Sequence, residues 1–531
     1  MVADVLIVDA LSAGSGKRKS SRDAIGCGPR TIAGILETHK ISCRIIRVED
    51  ILSKNSRVRG FNHLAISAMT MDFSAVKQLV KIWRQYRKSG RVIIGGPIST
   101  DAHLVLKEIS PDVVVVGEGE AIFDELLTKK FLETNIDFSS IKGIAYSKSG
   151  IPITNPPREF INEQVLSEKY QPSTVRIVDY PVYQASKVYV EVIRGCSNFQ
   201  RTSLPLPNGR ECSDCGICDS DDDIARLGCP EDIPPGCGFC SVPGTWGPPR
   251  SRSEEAIVTE INELLDLGVH RIVLEAPGFL DYKRGKGPTT TPCTPPANIE
   301  AISSLLKSIM TMPQMKEGSA HLSIENMKAC LFSEDVASLL SEIMPSTSPN
   351  IGLETGSERH LKSIGKCGSP SDVIRAIKLA KAYGMTPFVY LIYGLPGETE
   401  ETIDESIELM QHLSDAGAER IILYGFRSLP GSAFENYPSA KPNDPLSSKL
   451  REEAVRINRE KKHIYVGTIV RGVAADPSWE KHGYTMIYPL GEGPIMTVEG
   501  GYSPGTLLRI KITDVLSPGL LNGVVITDES E

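Results

Sequence analysis

Seven of the twelve cysteines in this 531-residue chain fall between Arg194 and Arg252, in two patterns that each suit a metal. The apolar run Val188 to Arg194 reads as a buried strand, and Gly195-Cys196 ends it where a barrel-type active site collects its ligands. Forty residues later comes Gly236-Cys237-Gly-Phe-Cys240. Two thiolates three positions apart grip one centre, and Cys196 would complete a three-cysteine site that leaves one iron of a cluster open. Between them lies Cys212-x2-Cys215-x2-Cys218, followed after ten residues by Cys229-Pro230. A second iron-sulfur cluster is expected there; a zinc or mononuclear iron on four thiolates, and a disulfide framework, stay open beside it. Against disulfides, the chain shows no secretory signal, and such pairs are unusual in reducing compartments.

Arg-Gly-Cys196, Cys237-x-Phe-Cys240 and Trp246-Gly-x-x-Arg-Ser-Arg252 together resemble the cluster loop of the radical S-adenosylmethionine (SAM) enzymes. The resemblance implies a [4Fe-4S] cluster on Cys196, Cys237 and Cys240, whose fourth iron binds SAM and drives its cleavage to a 5′-deoxyadenosyl radical. This chain departs from the family in placing forty residues, rather than three, between the first and second cysteine. The insert is in turn similar to the ferredoxin run of cysteines at two-residue spacing with a later Cys-Pro. In a rival use of the same residues, Cys212, Cys215 and Cys218 carry the SAM cluster.

Composition sets the frame. The length suits several domains, each with its own core, and 40% hydrophobic with 23% charged residues is ordinary for a globular protein. A net charge of −8 argues against gross attraction to nucleic acid or anionic membranes. No stretch reaches the length of a membrane span, and the N-terminus lacks a signal peptide's order, so a cytoplasmic location is expected. The scattered Cys27, Cys43, Cys293, Cys330 and Cys367 show no ligand spacing and read as small, often buried residues.

Residues 1–130 alternate short apolar strands (4–8, 43–47, 63–67, 91–94, 112–116) with helical patterns, which predicts a parallel sheet with helices on both faces. Ligands of such sheets sit at the carboxyl ends of the strands. Ser67, Gly95, Gly96, Gly117 and Gly119 stand there and would let a large flat ligand approach the backbone. The arrangement resembles the cobalamin-binding domain that precedes many radical SAM enzymes. Without an Asp-x-His-x-x-Gly motif no lower-axial histidine is expected, and His103 reads as a surface residue. A Rossmann-like domain without cobalamin is the plainer alternative. Gly14-Ser-Gly-Lys17 lacks the spacing of a phosphate loop.

Residues 131–187 read as a connector with a hairpin about Ser149-Gly150. Residues 188–440, with the cysteine-rich insert 197–236, carry six strand patterns (188–194, 271–276, 319–325, 349–354, 387–394, 420–426) with helices between: an open (β/α)6 partial TIM barrel. The resemblance implies that Glu354 and Ser357, after the fourth strand, hold the ribose of SAM, and that Gly394 and Gly397, after the fifth, pack along its adenine. Glu275 and Asp281 offer carboxylates toward the cavity, although Glu275 could equally be a solvated loop residue.

A basic helical linker, 441–463, has six Lys and Arg against three Glu between Lys449 and Lys462. Residues 464–531 then alternate short strands and glycine turns, which predicts a small antiparallel barrel. It looks like the TRAM domain, which presents RNA in several tRNA-modifying enzymes. Four basic against eight acidic residues from Ile464 onward leave no positive stripe; Tyr465, Trp479, Tyr484 and Tyr502 could stack on bases or simply pack.

The expected fold is therefore α/β: a Rossmann-like cobalamin-binding-type domain, a radical SAM barrel and a small β-barrel, the modules of some uncharacterised archaeal Fe-S oxidoreductases. The expected function is a cobalamin-dependent radical SAM methylase of an unactivated carbon, drawing electrons from a ferredoxin- or flavodoxin-type donor. A methylthiotransferase-like enzyme acting on tRNA, or a non-enzymatic iron-sulfur or RNA-binding protein, are the alternatives.

Overall fold

A computed structural model describes residues 4–18, 21–345, 347–441, 443–517 and 519–526. The chain divides into two compact units, residues 1–190 with 255–269 and residues 191–254 with 270–531.

The first unit is built on a seven-stranded sheet. Val5–Asp9 lies between Cys43–Arg47 and His63–Ser67, and Val92–Gly95 and Val113–Val115 follow, all parallel. This is the 2-1-3-4-5 order of flavodoxin-like domains, with its switch point beside the first strand. The strands are apolar along their whole length because both faces are covered; Val5–Asp9 is buried at every position. Helix Phe73–Tyr86 shows how a cover is made: Val76, Leu79, Val80 and Trp83 share one buried stripe. The hairpin Ile144–Lys148 with Ile151–Thr154 adds two antiparallel strands to the sheet, so it extends this domain's core where the sequence suggested part of a connector. Helix Glu254–Asp266 sends Glu260 to the fully buried Arg30 at 2.8 Å, an ion pair that fixes most of that helix in the first unit.

In the second unit, strands Arg271–Glu275 and His321–Ile324 pair in parallel, as do Asn350–Glu354, Phe388–Tyr393 and Arg420–Gly425. A parallel bridge from Met327 to Ile351 joins the two sets. The first barrel strand departs from expectation. It runs Lys187–Glu191 and stops, because Val192 donates to the Glu275 carbonyl while Ile193–Arg194 pairs antiparallel with Arg250–Ser251. That pairing ties the two ends of the cysteine region together at its base. The insert has little regular structure, yet Leu206, Ile233, Cys229 and Phe239 pack with Ile364, Leu395, Phe426 and Phe434 in one apolar cluster.

The last five strands, Ile469–Pro477, Tyr484–Pro489, Ile495–Glu499, Leu507–Ser517 and Leu520–Val525, close into a barrel around Ala474, Ile487, Met496, Val498 and Ile510. It is not wholly antiparallel, since Ile495–Glu499 and Leu520–Val525 run parallel. An odd number of strands cannot close with alternating directions all the way round, so one pair must be parallel. No described helix is long and apolar enough to cross a membrane.

Candidate active site

The split cysteine loop converges. The backbone N–H of Asn198 donates to the sulfur of Cys196 at 3.5 Å, and its side-chain amide donates to Cys237 at 3.2 Å and to the Gly365 carbonyl at 3.0 Å. Val242 N–H reaches the sulfur of Cys240 at 3.5 Å. Burial pushes the Cys237 thiol well up and Cys240 to about 11, the latter raised further by its neighbour Cys196. Three neighbouring thiols that receive N–H hydrogen bonds are a donor set suited to an iron-sulfur cluster, where a cation would replace the lost protons and the donors would tune potential. The turn needs glycine at Gly195: φ is +86°, and a Cβ there would lie 2.3 Å from the Pro248 carbonyl.

Beneath Cys196 is a buried charge cluster that sequence reasoning missed. Asp281 is 2% exposed and is gripped by Arg284 at 2.7 Å, by the Lys328 ammonium and by the Ser197 hydroxyl at 3.0 Å. Burial pushes its carboxyl up, but Lys328 and Arg284 reverse this and hold it below the usual carboxylate range. Asp281 therefore braces the loop of Cys196, where the sequence suggested a carboxylate free to face the cavity. Arg284, also buried, donates to the carbonyls of Thr291 and Pro295 at 3.0 and 2.7 Å and so sets the long loop after the second strand.

At the fourth strand, the Glu354 carboxylate folds back over Gly352 and pairs with Lys366 at 2.7 Å. Its φ of +71° accompanies a bulge in the strand. Burial alone would lower the Lys366 ammonium; Glu354 and the thiols of Cys237 and Cys367 outweigh it. Ser357 is 1% exposed, and its hydroxyl caps its own helix at His360 N–H. Gly394 and Gly397 both have positive φ, and Gly394 N–H donates to the Glu398 carboxylate at 2.9 Å. Burial raises Glu398 to about 7, against the pull of the Gly394 and Leu395 amides.

Of the insert cysteines, Cys212 and Cys215 are exposed while Cys218 and Cys229 are partly buried. Arg201 fastens this segment, donating to the Ile233, Phe199 and Arg226 carbonyls at 3.0 to 3.2 Å. Asp223 accepts from Thr290 and Thr291, so the insert is also tied to the loop after the second strand.

The scattered cysteines are not all isolated. Cys293, Cys330 and Cys367 meet, their sulfurs all within 4.8 Å of one another, and those of Cys293 and Cys330 are in bonding contact. A signal existed: Cys330 follows Cys293 by 37 residues, and Cys367 follows Cys330 by the same interval. That is about one strand-helix unit of the barrel, which returns each residue to the same end of the next strand.

In the first unit, Ser67 pairs in register with Asp9 and Gly95 at the carboxyl ends of the strands. The buried Asp72 accepts from Gly14 and Met69 N–H at 2.7 and 2.9 Å and so ties together the two loops above the switch point. Gly96 is hemmed in, since a Cβ would meet the Ala68 carbonyl at 2.7 Å, whereas Gly117 faces open space and Gly119 only Val115. His103 is exposed and meets Thr154 at 3.1 Å. In the C-terminal barrel, Tyr465 and Tyr502 pack on the core and Trp479 is exposed.

This arrangement defines a class. Residues 227–410 match the radical SAM superfamily and residues 19–127 the B12-binding domain. The uncharacterized protein MJ1620 of Methanocaldococcus jannaschii is 41% identical over 500 residues, 93% of this chain and 93% of its own. The chain belongs to that family, as a radical SAM protein with an N-terminal B12-binding domain. Ribosomal protein uS12 methylthiotransferase RimO of Protochlamydia amoebophila is more distant, at 24% over 54% of this chain and 60% of its own. Among solved structures, the radical SAM methyltransferase TsrM from Kitasatospora setae, with cobalamin and a [4Fe-4S] cluster bound, superposes with a TM-score of 0.58 at 15% identity, covering 82% of this chain and 77% of that one. The cobalamin-dependent enzyme OxsB superposes at 0.54 and 13%, covering 87% and 56%. Both likenesses are of fold.

Proposed function

We propose that the protein is a cobalamin-dependent radical SAM methylase acting on an unactivated carbon. The observation that carries this is the meeting of Cys196 with Cys237 and Cys240 across a forty-residue insert, in a chain that also matches the B12-binding domain. When bound, a [4Fe-4S] cluster would supply the electron that cleaves SAM to a 5′-deoxyadenosyl radical, and cobalamin would supply the methyl group.

The chain's own residues do the holding. Cys196, Cys237 and Cys240 would take the cluster, and Asn198 would steady two of its thiolates. Glu354, kept in place by Lys366, would accept from a ribose hydroxyl, and the open backbone at Gly394 and Gly397 would lie along the adenine. The Ser357 hydroxyl, engaged at its helix cap, would act by shaping that turn. Ser67, Gly95, Gly96, Gly117 and Gly119 would form the shelf for the corrin. A ferredoxin- or flavodoxin-type donor in the cytoplasm would deliver electrons, and the insert thiols Cys212, Cys215, Cys218 and Cys229 would hold a second iron-sulfur cluster or a zinc ion.

Methylthio transfer to tRNA is the second reading; the RimO relative supports the methylthio chemistry, although its own substrate is ribosomal protein uS12. This reading asks the C-terminal barrel to act as a TRAM domain. That barrel touches the second and third strands, through Arg271 against Tyr488 and Ser323 on Glu492.

The test is anaerobic reconstitution with iron, sulfide and cobalamin. We expect 5′-deoxyadenosine on reduction with SAM, lost in Cys196→Ala, Cys237→Ala and Cys240→Ala alike, and a visible spectrum of retained cobalamin. Wild-type protein that cleaves SAM yet takes up no cobalamin overturns the methylase reading, and full cleavage by Cys196→Ala overturns the split-loop ligand set.

A further inference from the structure

We propose that Cys293, Cys330 and Cys367 form an additional metal centre, a three-thiolate site for a single thiophilic divalent ion of the zinc class, with its fourth position open to an anionic ligand. The sulfurs lie within 4.8 Å of one another, and those of Cys293 and Cys330 are in bonding contact, a pair that ligation would part. At Zn–S of about 2.3 Å, a tetrahedral ion asks for sulfur-sulfur edges of roughly 3.8 Å. A cuboidal cluster takes each cysteine to a different iron and spreads its sulfurs more widely. Among the described residues, Cys196, Cys237 and Cys240 form no set that tight. The two trios thus differ in the sense that a cluster and a single ion should differ.

Each cysteine sits on a loop after a successive barrel strand, and each loop is met by a cation: the buried Arg284, the exposed Arg375 and the partly buried Lys366. Arg284 holds the carbonyls of Thr291, Pro292 and Pro295 around Cys293. Arg375 holds those of Ala329 and Phe332 around Cys330. Lys366, paired with Glu354, immediately precedes Cys367. Such fixed outer partners are what a metal site needs to orient its ligands. Three thiolates on a divalent ion carry a net negative charge, and Lys328 and Lys366 are the cations that face it. Both also line a small recess with Cys367, Gly352 and Gly368, which takes a fourth ligand the size of a hydroxide.

A disulfide between Cys293 and Cys330 uses two of the three sulfurs and gives the third no role. Reduction of a low-potential cluster also demands surroundings in which such a bond is disfavoured. The insert thiols Cys212, Cys215, Cys218 and Cys229 are a different set, so the two sites separate by mutation.

The test uses full-length protein, purified anaerobically and analysed for zinc, iron and acid-labile sulfide, with cobalt(II) exchanged into the zinc fraction. We expect this site to contribute one equivalent of zinc, beside any held by the insert thiols, and a cobalt(II)-thiolate charge-transfer spectrum with tetrahedral ligand-field bands. Both should survive in Cys212→Ser/Cys215→Ser/Cys218→Ser and vanish in Cys330→Ser and in Cys367→Ser. Sulfur counting by X-ray absorption at the zinc edge of the insert variant needs no change at the site, and should give three sulfurs and one lighter atom. A Cys293–Cys330 disulfide in anaerobically alkylated wild-type protein overturns the proposal. Loss of iron with matching sulfide, in place of zinc, overturns it in favour of a cluster, and metal content unchanged in Cys367→Ser overturns it outright.

Discussion

The side-chain amide of Asn198 donates to the sulfur of Cys237 at 3.2 Å across 39 residues of sequence. It is the contact that closes the split cysteine loop, because the same residue's backbone serves Cys196 and the same amide is anchored on Gly365.

Removing that amide should therefore weaken the cluster without removing a ligand. Asn198→Ala should cost roughly 10- to 100-fold in SAM cleavage or in cluster retention, the range for partners of metal ligands. Iron content and 5′-deoxyadenosine yield check it, and a wild-type rate with full iron would show the contact to be idle.

Asp281 balances two buried cations, so its neutral mimic should leave them uncompensated. We expect Asp281→Asn to destabilise the second unit by roughly 3–5 kcal/mol, whereas an apolar replacement of all three charged partners would be much milder. Chemical denaturation of the apo protein measures both, and equal losses would mean that packing rather than charge is responsible.

The glycines of the first unit differ in what they test. Gly119 meets only Val115 and Gly117 meets nothing, but Gly117 has a φ of +82° that a side chain resists. Gly119→Leu should therefore lower cobalamin retention while the domain stays folded. Gly96→Ala should instead distort the loop after the central strand Val92–Gly95 and destabilise the domain, since its Cβ would strike the Ala68 carbonyl. Cobalamin absorbance beside circular dichroism separates the two outcomes, and Gly119→Leu that retains cobalamin fully would move the ligand elsewhere.

Glu398 titrates near 7 in the folded protein because burial disfavours its charge. Between about 4.5 and 7 the folded state then binds more protons than the unfolded chain, so stability falls as pH rises through that window and levels above it. Glu398→Gln keeps an acceptor for Gly394 N–H and should remove the fall, raising the melting temperature at pH 8 by roughly 2–4 °C and leaving pH 5 nearly unchanged. A uniform shift at both pH values would contradict this assignment.

What the sequence determined by itself was local or strictly spaced. Apolar runs such as Val5–Asp9 and Phe388–Tyr393 are strands because both faces of a parallel sheet are covered. Cys237 and Cys240 show a metal-ligand spacing because three positions can bring two thiolates to one centre. The strand-end glycines Gly95, Gly394 and Gly397 mark the carboxyl ends of the sheet and barrel, where backbone must turn. What only the tertiary structure decided depends on which ends of which strands become neighbours. Cys196 finds Cys237 through Asn198, Asp281 finds Lys328, and Cys293, Cys330 and Cys367 meet although only an equal interval of 37 residues relates them. Periodicity reports the face a residue presents to its own element. The parallel order of the strands, and the buried cations that pin the loops between them, decide which distant side chains share a site.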